Sequence, residues 1–193
     1  MNNKLFFKFS WVFTAIVTLA IWSLLIWNFY NGGIPSHHIL ARADLPEISN
    51  AWGAILLPLL TGLVLFRVQQ RIKLADPNFT STPKDHLAIG LGFIGALVYG
   101  VSLAVFFTLG YSDLPFILLM SILFLALFFP IYRAECLLGF VLGMTFTFGA
   151  VLPIGMGLIL SILGMIIYLL VRPALLFIGS KALKKNVQNS KRK

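Results

Sequence analysis

Residues 136–171 read CLLGFVLGMTFTFGAVLPIGMGLILSILGMIIYLLV, an unbroken run without one formal charge. As a single helix rising ~1.5 Å per residue it would reach about 54 Å, far beyond the ~30 Å hydrocarbon core of a bilayer. The run is therefore expected to fold into two membrane helices. The break is read at Pro153-Ile154-Gly155-Met156-Gly157, where one proline and two glycines disfavour continued helix. That places a fifth helix over 136–152 and a sixth over 156–178, with Arg172 and Lys181 snorkelling toward the inner headgroups.

Upstream, four more apolar segments have spanning character, at 9–30, 51–68, 87–109 and 114–132. Lys4 and Lys8 precede the first and give it the look of a secretory signal. Its apolar run is longer than the ~7–15 residues of a cleavable segment and no small-x-small cleavage site follows, so it is expected to remain as an anchor. Trp11, Trp27 and Tyr30 stand at its ends, where interfacial aromatic belts form. The second segment is short and contains Pro58, which removes one backbone hydrogen bond and predicts a kink or a thinned crossing. The expected fold is an all-α integral membrane protein, a six-transmembrane-helix bundle with a structured outer loop after the first helix. Residues 1–183 form one polytopic domain and 184–193 a basic cytoplasmic tail, polar enough to be disordered. The second and fifth helices, the shortest, hold corresponding places in the two three-helix halves, as in inverted-repeat transporters. The match is imperfect, since Pro58 lies about two turns into its helix and Pro153 ends its own.

Composition agrees: 59% hydrophobic residues, 11% charged residues and a mean hydropathy of +0.94 belong to a membrane protein. With the N-terminus in the cytoplasm, only Arg42 of the 15 Lys and Arg residues falls outside. This asymmetry puts both termini in the cytoplasm, and the expected location is a bacterial cytoplasmic (inner) membrane. The net charge of +9 is thus a matter of topology and anionic lipid, and no nucleic-acid-binding motif accompanies it. The partners expected are the lipid bilayer and either a membrane subunit or further copies of the chain. Cys136 is the sole cysteine and cannot form an internal disulfide; no cysteine cluster offers metal ligands, and the sequence names no cofactor.

Chemistry is sought first in residues 31–50, a connection far longer than the usual ~2–8 residues between helices. It holds His37, His38, Arg42, Asp44 and Glu47, and with Asp113 these make up the outward ionisable groups. Ser36 is expected to cap a short helix through Ala43, and Asp44 with Glu47 resembles a capping box. On that helix His38 stands over Arg42 while His37 points elsewhere, so the two histidines are not a ready bidentate site. Three readings stay open: a solvated cap over the bundle, a cationic pocket of His38 and Arg42 for phosphate or carboxylate, and a metal or acid–base site pairing His37 or His38 with Asp44, Glu47 or Asp113.

Other patterns carry structure. Gly90, Gly92 and Gly95 match G-x-G-x-x-G but lie inside a membrane helix, where a dinucleotide fingerprint has no preceding strand. Gly92, Ala96 and Gly100 on one helix, and Gly139 and Gly143 on another, are spaced for close helix packing. Asn78-Phe79-Thr80 has the form of a glycosylation acceptor but falls on the cytoplasmic side. No Asp, Glu, Lys, Arg or His stands mid-helix, which disfavours proton relays, voltage sensing and ion-coupled pumping. Neither H-E-x-x-H nor G-x-S-x-G occurs. Arg133 and Glu135 are two apart and expected to act separately, Glu135 complementing the positive end of the fifth helix.

These features favour a non-enzymatic protein. It would be a facilitative passage or binding component for a small solute, its centre lined by the second and fifth helices, or a subunit of a membrane complex. The alternative is a membrane enzyme acting on a lipid-linked or extracytoplasmic substrate through the outer loop.

Overall fold

The computed structural model describes residues 3–34, 36–38, 47–75, 83–111 and 113–190. Among these residues seven α-helices and one short hairpin follow in order: α1 (Asn3–Tyr30), β1 (Ser36–His38), β2 (Glu47–Ser49), α2 (Gly53–Ala75), α3 (Pro83–Thr108), α4 (Asp113–Leu125), α5 (Ala134–Phe148), α6 (Val151–Ile166) and α7 (Arg172–Ser190). Four helical stretches among the described residues, Leu5–Tyr30, Asn50–Leu74, His86–Thr108 and Val151–Lys181, are long and apolar enough to cross a bilayer. The chain is an all-α membrane protein apart from its hairpin. The helices α4 and α5 are also apolar but shorter, at about 20 Å and 22 Å.

The short helix α5 is the core of the bundle. Leu138, Gly139, Phe140, Val141, Gly143, Met144 and Thr145 are all buried along it. Small residues allow this, because helices in lipid gain from close van der Waals approach. A Cβ at Gly143 would stand 2.5 Å from the carbonyl oxygen of Leu97, and one at Gly139 would collide with that of Phe93. From the other side, a Cβ at Gly100 would lie 2.6 Å from the Phe140 carbonyl oxygen. The backbones of α3 and α5 therefore touch. On its opposite flank α5 meets α2, where Leu57, Thr61, Val64 and Leu138 are buried. Leu57 and Thr61 of α2 and Leu138 and Val141 of α5 are almost completely buried there.

Pro58 sits inside α2. In a regular helix the amide of residue 58 would donate to the carbonyl of Ala54, and proline has no amide to give. The indole Nε1–H of Trp22 on α1 donates to the Ala54 oxygen at 3.1 Å. A neighbouring helix thus satisfies the carbonyl that proline frees, which is how proline is tolerated in lipid. Together α1 and α2 enclose Val17, Ile21, Leu25 and Leu57.

The turn between α5 and α6 falls at Gly149-Ala150, upstream of the break expected at Pro153–Gly157. Gly149 takes φ +73°, a conformation that ends a helix and suits glycine. The side chain of Asn50 lies against Gly149, and its Nδ2 donates to the last α5 carbonyl, Phe148, at 3.3 Å. Pro153 is the third residue of α6. There it breaks nothing, because amides in a first helical turn have no intrahelical partner.

Other elements also differ from expectation. α2 continues to Ala75, so the short helices are α4 and α5 rather than α2 and α5, which weakens the case for two equivalent halves. After Leu125 the chain leaves helical geometry and turns through residues 126–133 before α5 begins. α6 runs into α7 through one π-helical turn, Ile167–Val171, and helix persists to Ser190, into the tail expected to be disordered.

Candidate functional site

The 31–50 connection, expected on the outer side, forms a hairpin where a helix was expected. Ser36–His38 pairs antiparallel with Glu47–Ser49, in the register Ser36 to Ser49, His37 to Ile48 and His38 to Glu47. Ser36 therefore caps no helix at residues 36–38, and Glu47 belongs to a strand instead of a capping box. Of the proposed outer group, the register places His38 across from Glu47, while Arg42 and Asp44 lie outside the described residues. Asp113 opens α4, which packs on α3 and α6. No three His, Cys, Asp or Glu side chains converge for a metal among the described residues.

A well-defined recess lies elsewhere. A cavity of about 550 Å³ lies between α3, α4, the 126–133 connection, α5 and α6. It is within the ~300–1,000 Å³ range of small-molecule sites. Its lining runs along α3 from Ala88 to Tyr99, about 16 Å of helix. The premature end of α4 makes this space: a full helical span would present a continuous wall, whereas residues 126–133 loop around the recess. Leu91 and Phe129 both line it and are 62% and 61% exposed, so its wall between α3 and the connection is open sideways. Glycines at 92, 95 and 157 widen it. At Gly95 a Cβ would meet nothing within 4 Å.

The two ends of the cavity differ in polarity. At the deep end the Tyr99 hydroxyl donates to the Leu118 carbonyl at 2.7 Å and touches Ser121 Oγ, so these groups satisfy one another. Ser161 of α6 also lines the cavity, on the stretch between Gly157, which meets Leu137, and Gly164, which meets Ile131. At the other end stand Arg133, Glu135 and Cys136. Glu135 is 3% exposed and forms a two-pronged ion pair with Arg71 of α2, Nη2 to Oε1 at 2.8 Å and Nη1 to Oε2 at 3.2 Å. This corrects the expectation that Glu135 acts alone. Arg133 immediately precedes α5, its backbone engaged with Pro130, Cys136 and Leu137, and no described residue supplies its guanidinium with an ion-pair or hydrogen-bond partner. Close by, Tyr132 packs on Tyr168 with ring centroids 5.7 Å apart, and the Arg172 guanidinium covers Tyr168 at 4.6 Å. Tyrosines and arginines gathered in this way mark a membrane–water interface.

The Gly/Ala stripe divides between two tasks. Gly100, Gly139 and Gly143 are occupied by the α3/α5 contact, while Gly92 and Ala96 also face the cavity. Sequence reasoning missed Gly95, Tyr99, Phe129 and Ser161 as lining residues. Only Arg133, the sole cation in its connection, carried a readable signal. No family model, no curated protein and no solved structure matches this chain.

Proposed function

We propose that this protein is a six-span component of a bacterial cytoplasmic membrane, both termini in the cytoplasm, that binds a small apolar or amphipathic molecule within the bilayer. The observation that carries the reading is the laterally open cavity of about 550 Å³ between α3, α4, α5 and α6. Its lining is apolar along most of its length, with the Tyr99 hydroxyl at one end and charge at the other, the pattern of a site that orients an amphipathic guest. Ionisable residues are kept out of the central turns of the apolar segments, Arg67 and Arg71 lying toward the end of α2, which favours binding over ion-coupled transport. The packed α2/α5 interface likewise favours a binding pocket over a central passage.

Native mass spectrometry of the purified chain tests this. Wild-type protein retains one lipid-sized molecule after detergent removal. Gly95→Phe, which grows a ring into the cavity, loses it, while Gly155→Phe on the exposed face of α6 keeps it. Equal retention by all three proteins would remove the cavity as the site.

A further inference from the structure

The charges at the cavity mouth narrow the class of guest, on the reading that the cavity is a binding site. Glu135 uses both carboxylate oxygens on Arg71, so that pair is internally neutral. Arg133 lines the same mouth, and among the described residues none pairs with or neutralises its guanidinium. A guanidinium beside an apolar recess attracts a phosphate or carboxylate, which it can grip through two parallel N–H groups. The Tyr132, Tyr168 and Arg172 cluster puts this mouth at headgroup level. Tyr99, at the far end, lies deeper in the bundle.

We infer that the cavity holds one chain of an anionic phospholipid drawn from the cytoplasmic leaflet, with its phosphate on Arg133. The opening between Leu91 and Phe129 faces lipid, so the chain slides in sideways without crossing water. A zwitterionic lipid of the same chain length carries its own cation next to the phosphate. It therefore competes with Arg133 for that phosphate and binds more weakly. A fully apolar guest fills the cavity but leaves Arg133 unused.

The test places the full-length protein in phosphatidylcholine nanodiscs with trace phosphatidylglycerol or phosphatidylcholine, each spin-labelled at mid-chain. Wild type immobilises the phosphatidylglycerol label about tenfold more tightly than the phosphatidylcholine label. Arg133→Gln brings the two within about twofold by weakening phosphatidylglycerol, and Arg133→Lys retains most of the preference because the charge remains. Gly95→Phe abolishes immobilisation of both, with Gly155→Phe as the folded control. Equal binding of the two labels by wild type overturns the headgroup inference and leaves the cavity reading standing. No immobilisation above that of Gly95→Phe overturns both. If wild type is instead a dimer that Gly95→Phe dissociates, a second copy of the chain covers the opening and the lipid assignment fails.

Discussion

The bond between Trp22 and the Ala54 carbonyl can be isolated by a double-mutant cycle with Pro58. Trp22→Phe keeps an aromatic ring but removes the indole donor, leaving the Ala54 oxygen without the partner that Pro58 denies it. Half of Trp22 faces lipid, at 51% exposure, so no water replaces the lost donor. Side-chain hydrogen bonds between membrane helices average ~0.6 kcal/mol and reach about 1.7 kcal/mol. The present bond belongs near the upper figure, because its acceptor has no alternative within its own helix. Pro58→Ala supplies the missing amide, and the Ala54 carbonyl then closes a regular helical bond.

Trp22→Phe should thus cost about 1–1.7 kcal/mol in the native background and a few tenths in the Pro58→Ala background, the residue being lost ring packing common to both. The coupling energy is the difference of these costs. Reversible unfolding by sodium dodecyl sulfate in mixed micelles, followed by circular dichroism, measures all four corners. Costs equal within about 0.3 kcal/mol in the two backgrounds, the limit of additivity for independent sites, would show that Trp22 does not substitute for the proline amide.

The membrane character and most helix locations were legible because they depend on local quantities: apolar length, charge at the flanks and aromatic ends. Where the expectation moved, a tertiary contact decided. Pro153 reads as a helix breaker in isolation, yet Gly149 takes the turn because Asn50, almost a hundred positions away, caps the Phe148 carbonyl beside it. Pro58 reads as a kink, and its partner Trp22 reads only as an apolar aromatic until α1 and α2 are paired. The cavity was hidden for the same reason. It exists because α4 stops at Leu125 although its apolar run continues, so hydropathy alone predicts a full span. Residues such as Leu91 and Phe129 differ from neighbouring lipid-facing residues only by where the chain turns. Glu135 invited a local account through the helix end, but its partner lies 64 positions earlier on α2.

Gly143→Ala should lower the yield of folded protein, since even one methyl would press on the Leu97 carbonyl, a fixed backbone atom for which overpacking costs of about 1–3 kcal/mol are expected. Gly90→Ala, whose Cβ meets nothing within 4 Å, should be neutral, and size-exclusion recovery ranks the two. In a Cys136→Ser background, cysteines at Glu47 and Tyr111 should react with an impermeant maleimide from outside. Those at Leu74, Tyr132 and Ser180 should react only after permeabilisation, and labelling of position 132 from outside would show that α4 and its connection turn back without crossing. The ion pair predicts an asymmetry between its members. Arg71 is 40% exposed and Glu135 only 3%, so Glu135→Gln frees a guanidinium that can snorkel to water, whereas Arg71→Gln strands a carboxylate among α5 side chains. Breaking a buried pair at the partner that leaves a buried charge costs about 3–5 kcal/mol, while replacing both members by apolar residues of similar volume is often close to neutral. The expected order of unfolding midpoints is therefore wild type close to Arg71→Met/Glu135→Leu, then Glu135→Gln, then Arg71→Gln. A larger loss for Glu135→Gln than for Arg71→Gln would mean that the carboxylate gains more from the positive end of α5 than from Arg71, and the two-pronged bond would be incidental to the fold.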